Sequence, residues 1–401
     1  MRTYHRIIAL FVLIFTLYLG VTGSLIQITD LYTLYANAPE TDPNKKAIRE
    51  GLDGTSDFQV INVPDYTAPV LPANFDYAGS LTRVLARSRE ALQDAPLQYI
   101  EFRMLDGQPV GQAKTEGRLL RFGANDGVLQ GEGKPPRGAG GTFGRSLRNT
   151  FKGLHRLTSF GNWTLWINIF VGVSLCVMLV TGLVMYCRLL SARASIKKPG
   201  LFWSAGGNWR SLHRAISLVS AVFVIVIVLT GTWLAVESLG RSYLGARERA
   251  LVASGVPIED PGAPLTDQQL PGMMSATLAA YRGSYRDTPL RAIRLRVYGG
   301  MSQGVVISGG PEAQQLVFNT SNGRSASMTE PGYPPQHFPF GWQSHQIAKK
   351  VHRGDFIGLS GRWMDLFGAL SLLYLTISGG VMYVELWRRR RKAGRAGVIW
   401  K

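Results

Sequence analysis

Cysteine is nearly absent, with two in 401 residues. That excludes a disulfide framework, and no CxxC or Cys/His zinc spacing occurs. Charge is scarce as well, at 17% of residues, below the usual quarter or so of a soluble domain. A disordered chain needs high charge and low hydrophobicity, whereas 46% of this one is hydrophobic. Acids are the scarcest charges, 26 Asp and Glu against 44 Lys and Arg, for a net charge of +18. Collagen repeats, heptad arrays and low-complexity tracts are missing. So are a phosphate loop, a GxGxxG fingerprint and a Ser-based hydrolase motif, which leaves no visible site for NAD(P)H or flavin.

What is present is four apolar runs near Ile7–Ile28, Trp163–Tyr186, Ala215–Val236 and Trp363–Trp387. Each is long enough to cross a hydrocarbon core of about 30 Å, which takes about 20 residues. The first and third hold no charged residue, and Asp365 and Glu385 stand near the ends of the fourth. The basic excess is unevenly spread. The N-terminus, the segment from Arg188 to Arg214 and the tail from Arg388 hold 15 basic residues and no acid. The two long loops are nearly balanced, 16 basic against 15 acidic over 30–162 and 12 against 8 over 237–353. Excess Lys and Arg in short loops marks the cytoplasmic side, so both termini are expected inside and both long loops outside. This charge is expected to meet anionic lipid and not nucleic acid. Ala36-Asn37-Ala38 resembles a signal-peptide cleavage site, but the apolar run before it is longer than a signal peptide uses, so helix 1 is expected to be retained. The expected layout is helix 1 over 1–29, a loop over 30–162, helix 2 over 163–187, a basic loop over 188–210, helix 3 over 211–236, a loop over 237–352, helix 4 over 353–387 and a tail over 388–401.

The chain also repeats itself. His-Arg occurs four times, at His5-Arg6, His155-Arg156, His213-Arg214 and His352-Arg353, each shortly before an apolar run that contains Thr-Gly or Ser-Gly. His5 to Thr22 and His213 to Thr230 are both 17 residues; His155 to Thr181 and His352 to Ser378 are both 26. The long loops repeat too. A helix pattern over Leu81–Leu92 is followed by a strand pattern over Leu97–Met104 and a hairpin signal at Asp106-Gly107. In the second loop a helix over Gln268–Tyr281 precedes strands near Arg291–Tyr298, Gly304–Ser308 and Gln315–Phe318. The two loops share Phe122-Gly-Ala-Asn-Asp-Gly127 and Phe318-Asn-Thr-Ser-Asn-Gly323. The expected fold is a mainly α four-helix membrane bundle of two tandem repeats, with one small α+β module in each outer loop.

The His-Arg helix starts, the Thr-Gly helix ends and the paired Phe-x-x-x-(Asp/Asn)-Gly modules resemble the PepSY-associated transmembrane proteins over nearly the whole chain. That resemblance implies a bacterial inner-membrane protein with periplasmic PepSY-like modules. Characterised members of the family include ferric-siderophore reductases with two b-type haems; others are annotated only as iron-regulated membrane proteins.

The topology sets His5 and His213 at the inner surface and His155 and His352 at the outer one. A four-helix bundle can offer axial imidazoles to haem iron from facing helices, so each pair is a candidate haem b site. Twenty-six residues of helix rise about 39 Å, more than the core, so the chain is expected to break between each outer histidine and its span, near Gly161 and near Gly358 and Gly361. Arg6, Arg156, Arg214 and Arg353 are candidate partners of the haem propionates, or they snorkel to anchor helix ends. The Thr-Gly pairs are expected to be close-packing sites, and Met185, Met382, Cys176 and Cys187 to be packing residues. His345 is the rival of His352 as outer ligand.

His337 and His345 have no counterparts in the first connector, Pro135–Thr150. With Trp342, Phe338, Tyr333, Lys349, Lys350, Arg137, Arg145 and Arg148 they are candidates for contact with an anionic ferric chelate such as a siderophore; lipid head groups are the other reading of the basic residues. The expected activity is electron transfer from a cytoplasmic donor or a quinol, through two haems, to a periplasmic ferric siderophore or other ferric chelate. The alternatives are a membrane-anchored PepSY binding or inhibitory module without redox activity, and an accessory subunit for iron or chelate uptake.

Overall fold

The computed structural model describes residues 2–38, 42–53, 60–61, 63–93, 95–115, 117–133, 146–198, 200–253, 265–298, 301–310, 313–326, 338–395 and 397–399. The chain divides into two compact units. One comprises Met1–Asn37, Arg145–Arg247 and Pro335–Lys401; the other comprises Ala38–Gly144 and Glu248–Pro334.

The first unit is helical. It contains α1 (Arg2–Tyr35), and the sheet unit then takes α2 (Pro43–Asp53), α3 (Val63–Thr67) and α4 (Tyr77–Leu92). The helical unit resumes with α5 (Leu147–His155), α6 (Leu165–Ser195), α7 (Asn208–Val219) and α8 (Ala221–Ala253). After α9 (Gln269–Ser284) in the sheet unit, it closes with α10 (Trp342–His352) and α11 (Gly358–Lys392). Four helices are long and apolar enough to cross a membrane, over Thr3–Tyr35, Asn162–Ser195, Ala221–Arg247 and Asp355–Lys392. All four exceed the apolar runs that announce them.

The sidedness of α1 fits that solvent. Thr16, Thr22, Ser24, Gln27, Asp30 and Thr33 are buried, while Phe11, Ile14 and Ile28 are exposed. A helix in water does the reverse; in lipid, polar side chains face the bundle. α7 meets α8 at Ser220, which keeps right-handed helical backbone and both ladder bonds: its N–H donates to the Ile216 carbonyl and its carbonyl accepts from the Val224 N–H, each at 2.9 Å, while its hydroxyl also donates to the Ile216 carbonyl at 2.7 Å.

The chain does break after His155 and after His352. α5 ends at His155, Leu157 takes a left-handed conformation (φ 57°), and two 3-10 turns lead into α6. α10 ends at His352, and Gly354 takes the same conformation (φ 72°) before one 3-10 turn and α11. Two residues after the histidine, each chain reverses its helical sense; glycine does this without strain, leucine at some cost.

The second unit holds seven strands: β1 (Tyr99–Leu105), β2 (Gln108–Lys114), β3 (Leu119–Gly123), β4 (Leu129–Glu132), β5 (Leu290–Tyr298), β6 (Met301–Ser308) and β7 (Gln315–Asn319). Two separate small sheets were the expectation. Instead β1 pairs antiparallel with β5, Phe102 opposite Ile293, and all seven form one sheet in the order β4-β3-β2-β1-β5-β6-β7. Edge strands left bare are liabilities, and this pairing removes two of them. Asp106 and Gly107 turn the β1–β2 hairpin with positive φ at both positions, as a two-residue turn of that kind requires.

α4 and α9 cover one face, where Leu81, Val84, Met273, Met274 and Tyr281 pack on Ile100, Phe102, Ile293 and Leu295. Glycine lets them approach: a Cβ at Gly111 of β2 would lie 2.6 Å from Val84, and one at Gly304 of β6 would strike Thr277.

Candidate functional site

Each of the four histidines of the His-Arg pairs meets a hydroxyl on a neighbouring helix. His5 Nδ1 lies 2.9 Å from Thr181 Oγ1, and His155 Nδ1 lies 3.0 Å from Thr22 Oγ1. His213 Nδ1 lies 2.7 Å from Ser378 Oγ, and His352 Nδ1 lies 3.0 Å from Thr230 Oγ1. The contacts are reciprocal. α1 presents His5 near one end and the acceptor for His155 further along, and α7 and α8 do the same with His213 and Thr230.

The hydroxyl contacts favour one ring tautomer, assigned from the hydrogen-bond network. Thr22 donates its own proton to the Tyr18 carbonyl at 2.8 Å, Thr181 to Val177 at 2.8 Å, Thr230 to Val226 at 2.6 Å and Ser378 to Leu375 at 3.2 Å. With that proton committed, each oxygen is an acceptor, so each histidine donates from Nδ1–H. The Nε2 lone pair is then left bare, as a metal-binding imidazole requires.

The following glycine completes each seat. A Cβ at Gly23 would lie 3.2 Å from His155 Cε1, one at Gly231 3.0 Å from His352 Cε1, one at Gly182 3.5 Å from His5 Cε1 and one at Gly379 3.9 Å from His213 Cε1. The expectation of mere helix packing at Thr-Gly is therefore extended: a hydroxyl meets the ring at all four positions, and Gly23 and Gly231 make room for His155 and His352, whereas a Cβ at Gly182 or Gly379 would be in ordinary contact.

His155 and His352 are neighbours, with ring centres 6.4 Å apart and planes inclined by 36°. Metal–imidazole bonds are about 2 Å, so two imidazoles on opposite sides of one ion have ring centres about 6 Å apart. His213 and His5 are near enough to interact electrostatically. Along α1 the 17 residues between His5 and Thr22 separate the two levels by about 26 Å. Two imidazoles are too few to satisfy a transition metal alone, and among the described residues no group of three or more His, Cys, Asp or Glu side chains could hold one.

His345 is not with His155. Its Nδ1 lies 2.9 Å from Glu237 Oε2, and its ring stacks on Phe338 at 4.1 Å. The arginines differ in what they touch. Arg353 pairs with Asp355 at 3.1 Å. Arg214 donates to the Trp203 and Ala205 carbonyls and lies over the Trp203 ring. Arg156 donates to Ser238 Oγ at 3.1 Å, and Arg6 follows His5 in α1. Arg353 and Arg214 thus already have oxygen partners within the protein, which lessens their claim to propionates.

Arg148 was expected to face a chelate, and the structure corrects this. It is 3% exposed and donates from Nε to Asp30 Oδ1 at 2.7 Å. Asp30 also binds Arg362, which reaches Asp355 at 2.6 Å. Lys349 is partly buried in α10; burial pulls its ammonium down to about 7, with Arg353 and Lys152 pushing the same way. Lys350 lies beside it on α10. Arg137, Arg145, Tyr333 and His337 lie outside the described residues, as does the side chain of Trp342.

Sequence reasoning missed Glu237, Asp30 and the four hydroxyls. The equal spacings of 17 and 26 residues signalled the hydroxyls; the two carboxylates have no local signature. No curated protein matches the chain. The family described as the PepSY-associated TM region matches it across residues 2–385, and with four membrane-crossing helices the chain belongs to that family.

Proposed function

We propose that the chain is a transmembrane electron-transfer protein that holds two b-type haems, His155 and His352 at one and His5 and His213 at the other, and reduces a ferric siderophore. The observation that carries this reading is the neighbouring pair His155 and His352, ring centres 6.4 Å apart, each with Nδ1 3.0 Å from a threonine hydroxyl. A binding or inhibitory module has no need of such a pair.

Haem, when bound, supplies one-electron chemistry at iron. The chain's own residues orient the imidazoles, exclude water and keep lipid away. Two equal ligands suit electron transfer, because neither need leave when the metal changes oxidation state. The matched hydroxyl contacts support the two-repeat reading of the bundle. The distribution of Lys and Arg supports a bacterial inner-membrane orientation with both termini inside and the two long segments in the periplasm. His155 and His352 then serve the outer acceptor. His5 and His213 serve an inner donor, a cytoplasmic reductant or a quinol. Reduction of a ferric chelate weakens its hold by hard oxygen ligands and frees the metal.

An absorbance spectrum of the purified full-length protein tests this. The expected result is sharp reduced b-type bands at two haems per chain, and reoxidation when a ferric hydroxamate is added without oxygen. A colourless preparation from cells supplied with porphyrin precursor sinks the proposal.

Thr22→Val and Thr230→Val test the seats. Each removes the acceptor that fixes one imidazole while keeping its volume close. Loss of such a supporting bond costs about 10–100-fold in metal affinity, so outer haem retention on dilution is expected to fall by that order. Unchanged retention in both variants means the hydroxyls do not hold the ligands.

A further inference from the structure

Seven residues beyond Thr230 on α8, and seven before His352 on α10, the same helices meet again through Glu237 and His345. Seven residues of helix are about 10 Å. The first half of the chain has Arg148 where the second has His345, seven residues before the outer histidine, and its carboxylate partner is Asp30. Arg148 keeps its charge at any ordinary pH. An imidazole does not. The position that is a fixed ion pair in one half is a titratable pair in the other.

The surroundings of this second pair are built and under-satisfied. Glu237 is 0% exposed, and its Oε1 has no hydrogen-bond partner among the described residues. Gln346, beside His345, is 1% exposed, and neither of its amide atoms has a partner there. Phe338 stacks on His345, Arg241 lies 4.9 Å over Phe338, and Trp233 packs on Phe340 at 4.6 Å. The charged groups facing His345 are Glu237 from α8, Lys349 from its own helix and Arg156 from the turn after α5. Burial pulls the imidazole below its ordinary range; Glu237 pushes it back up, while Lys349 and Arg156 oppose that. A buried imidazole with a carboxylate 2.9 Å away responds readily to a new charge nearby.

On the reading proposed above, we propose that Glu237 and His345 form a proton-exchange site coupled to the outer haem. One proton enters the pair from external water as one electron arrives from the inner haem. The same proton leaves when the electron passes to the ferric acceptor. Atoms and electrons balance without a further reactant. Added negative charge favours the protonated pair, so the site binds its proton more tightly when the haem is reduced. A unit charge about 10 Å away through buried protein changes proton affinity by about tenfold. The midpoint potential of the outer haem is therefore high in acid and falls as pH rises. The total fall between the two limits is that tenfold factor, about 59 mV for one electron.

The test is an optical redox titration of the full-length, haem-loaded protein across roughly pH 5 to 9, with His155→Ala used to assign the outer component. Glu237→Gln and His345→Arg, the latter reproducing the Arg148 arrangement, are expected to keep two haems and lose the fall. The reduced-minus-oxidised infrared spectrum is expected to show a carboxyl or imidazole band that both variants lack. A haem-loaded wild type with a pH-independent outer potential overturns the coupling alone, as does a fall that survives in both variants. A wild type without haem overturns the electron-transfer reading and the coupling with it.

Discussion

His155→Ala and His352→Ala each leave the purified protein with about one haem per chain in place of two, and His345→Ala leaves two. The argument is geometric. His155 and His352 have ring centres 6.4 Å apart, and each meets, through Nδ1, a threonine on another helix. Alanine at either position removes one of the two imidazoles that would hold the group, and among the described residues no other imidazole lies beside them. His345 is two turns away with its Nδ1 turned to Glu237. The count is made by pyridine haemochrome against protein mass. Loss of the outer haem in His345→Ala and its retention in His352→Ala would reverse the assignment. His5→Ala and His213→Ala are expected to spare the outer haem and remove the inner one.

Asp30→Ala destabilises the bundle by about 3–5 kcal/mol, the usual cost of stripping one partner from a buried ion pair. Asp30 is 0% exposed on α1 and receives Arg148 from α5 and Arg362 from α11. Arg362 continues to Asp355, and Asp355 to Arg353, the residue after His352. One carboxylate thus ties together the two segments that carry the outer histidines. Without it, two guanidiniums stay buried beside each other with less than their share of negative charge. Asp30→Asn, which keeps a hydrogen-bond acceptor, is expected to cost less. Thermal unfolding in detergent reads the difference, and a loss below about 1 kcal/mol for the alanine variant would mean that water reaches the arginines.

The membrane spans were legible because lipid demands long apolar runs and leaves no other solution for the backbone. The hairpin at Asp106-Gly107 was legible because few residue pairs accept positive φ twice. The β1–β5 seam was not, since any strand edge can pair with any other and the choice lies in the packing of residues nearly 200 positions apart. The Thr-Gly pairs were visible as a repeat while their chemistry was not: a threonine in a membrane helix reads as packing until its neighbour across the bundle is known. Arg148 misled for a related reason. Its basic neighbours in sequence suggested an exposed connector, whereas Asp30, which buries it, lies 118 positions away.

The reciprocal contacts of α1 make it a gauge block. Its imidazole is seated on α6 at one end and its hydroxyl seats the α5 imidazole further along. A slide by one turn would displace both by about 5.4 Å, and one inserted residue between them would swing one end by about 100° against the other. Neither level can be retuned by shifting a whole helix, so on the electron-transfer reading the tunnelling distance is written into the count of residues from 5 to 22.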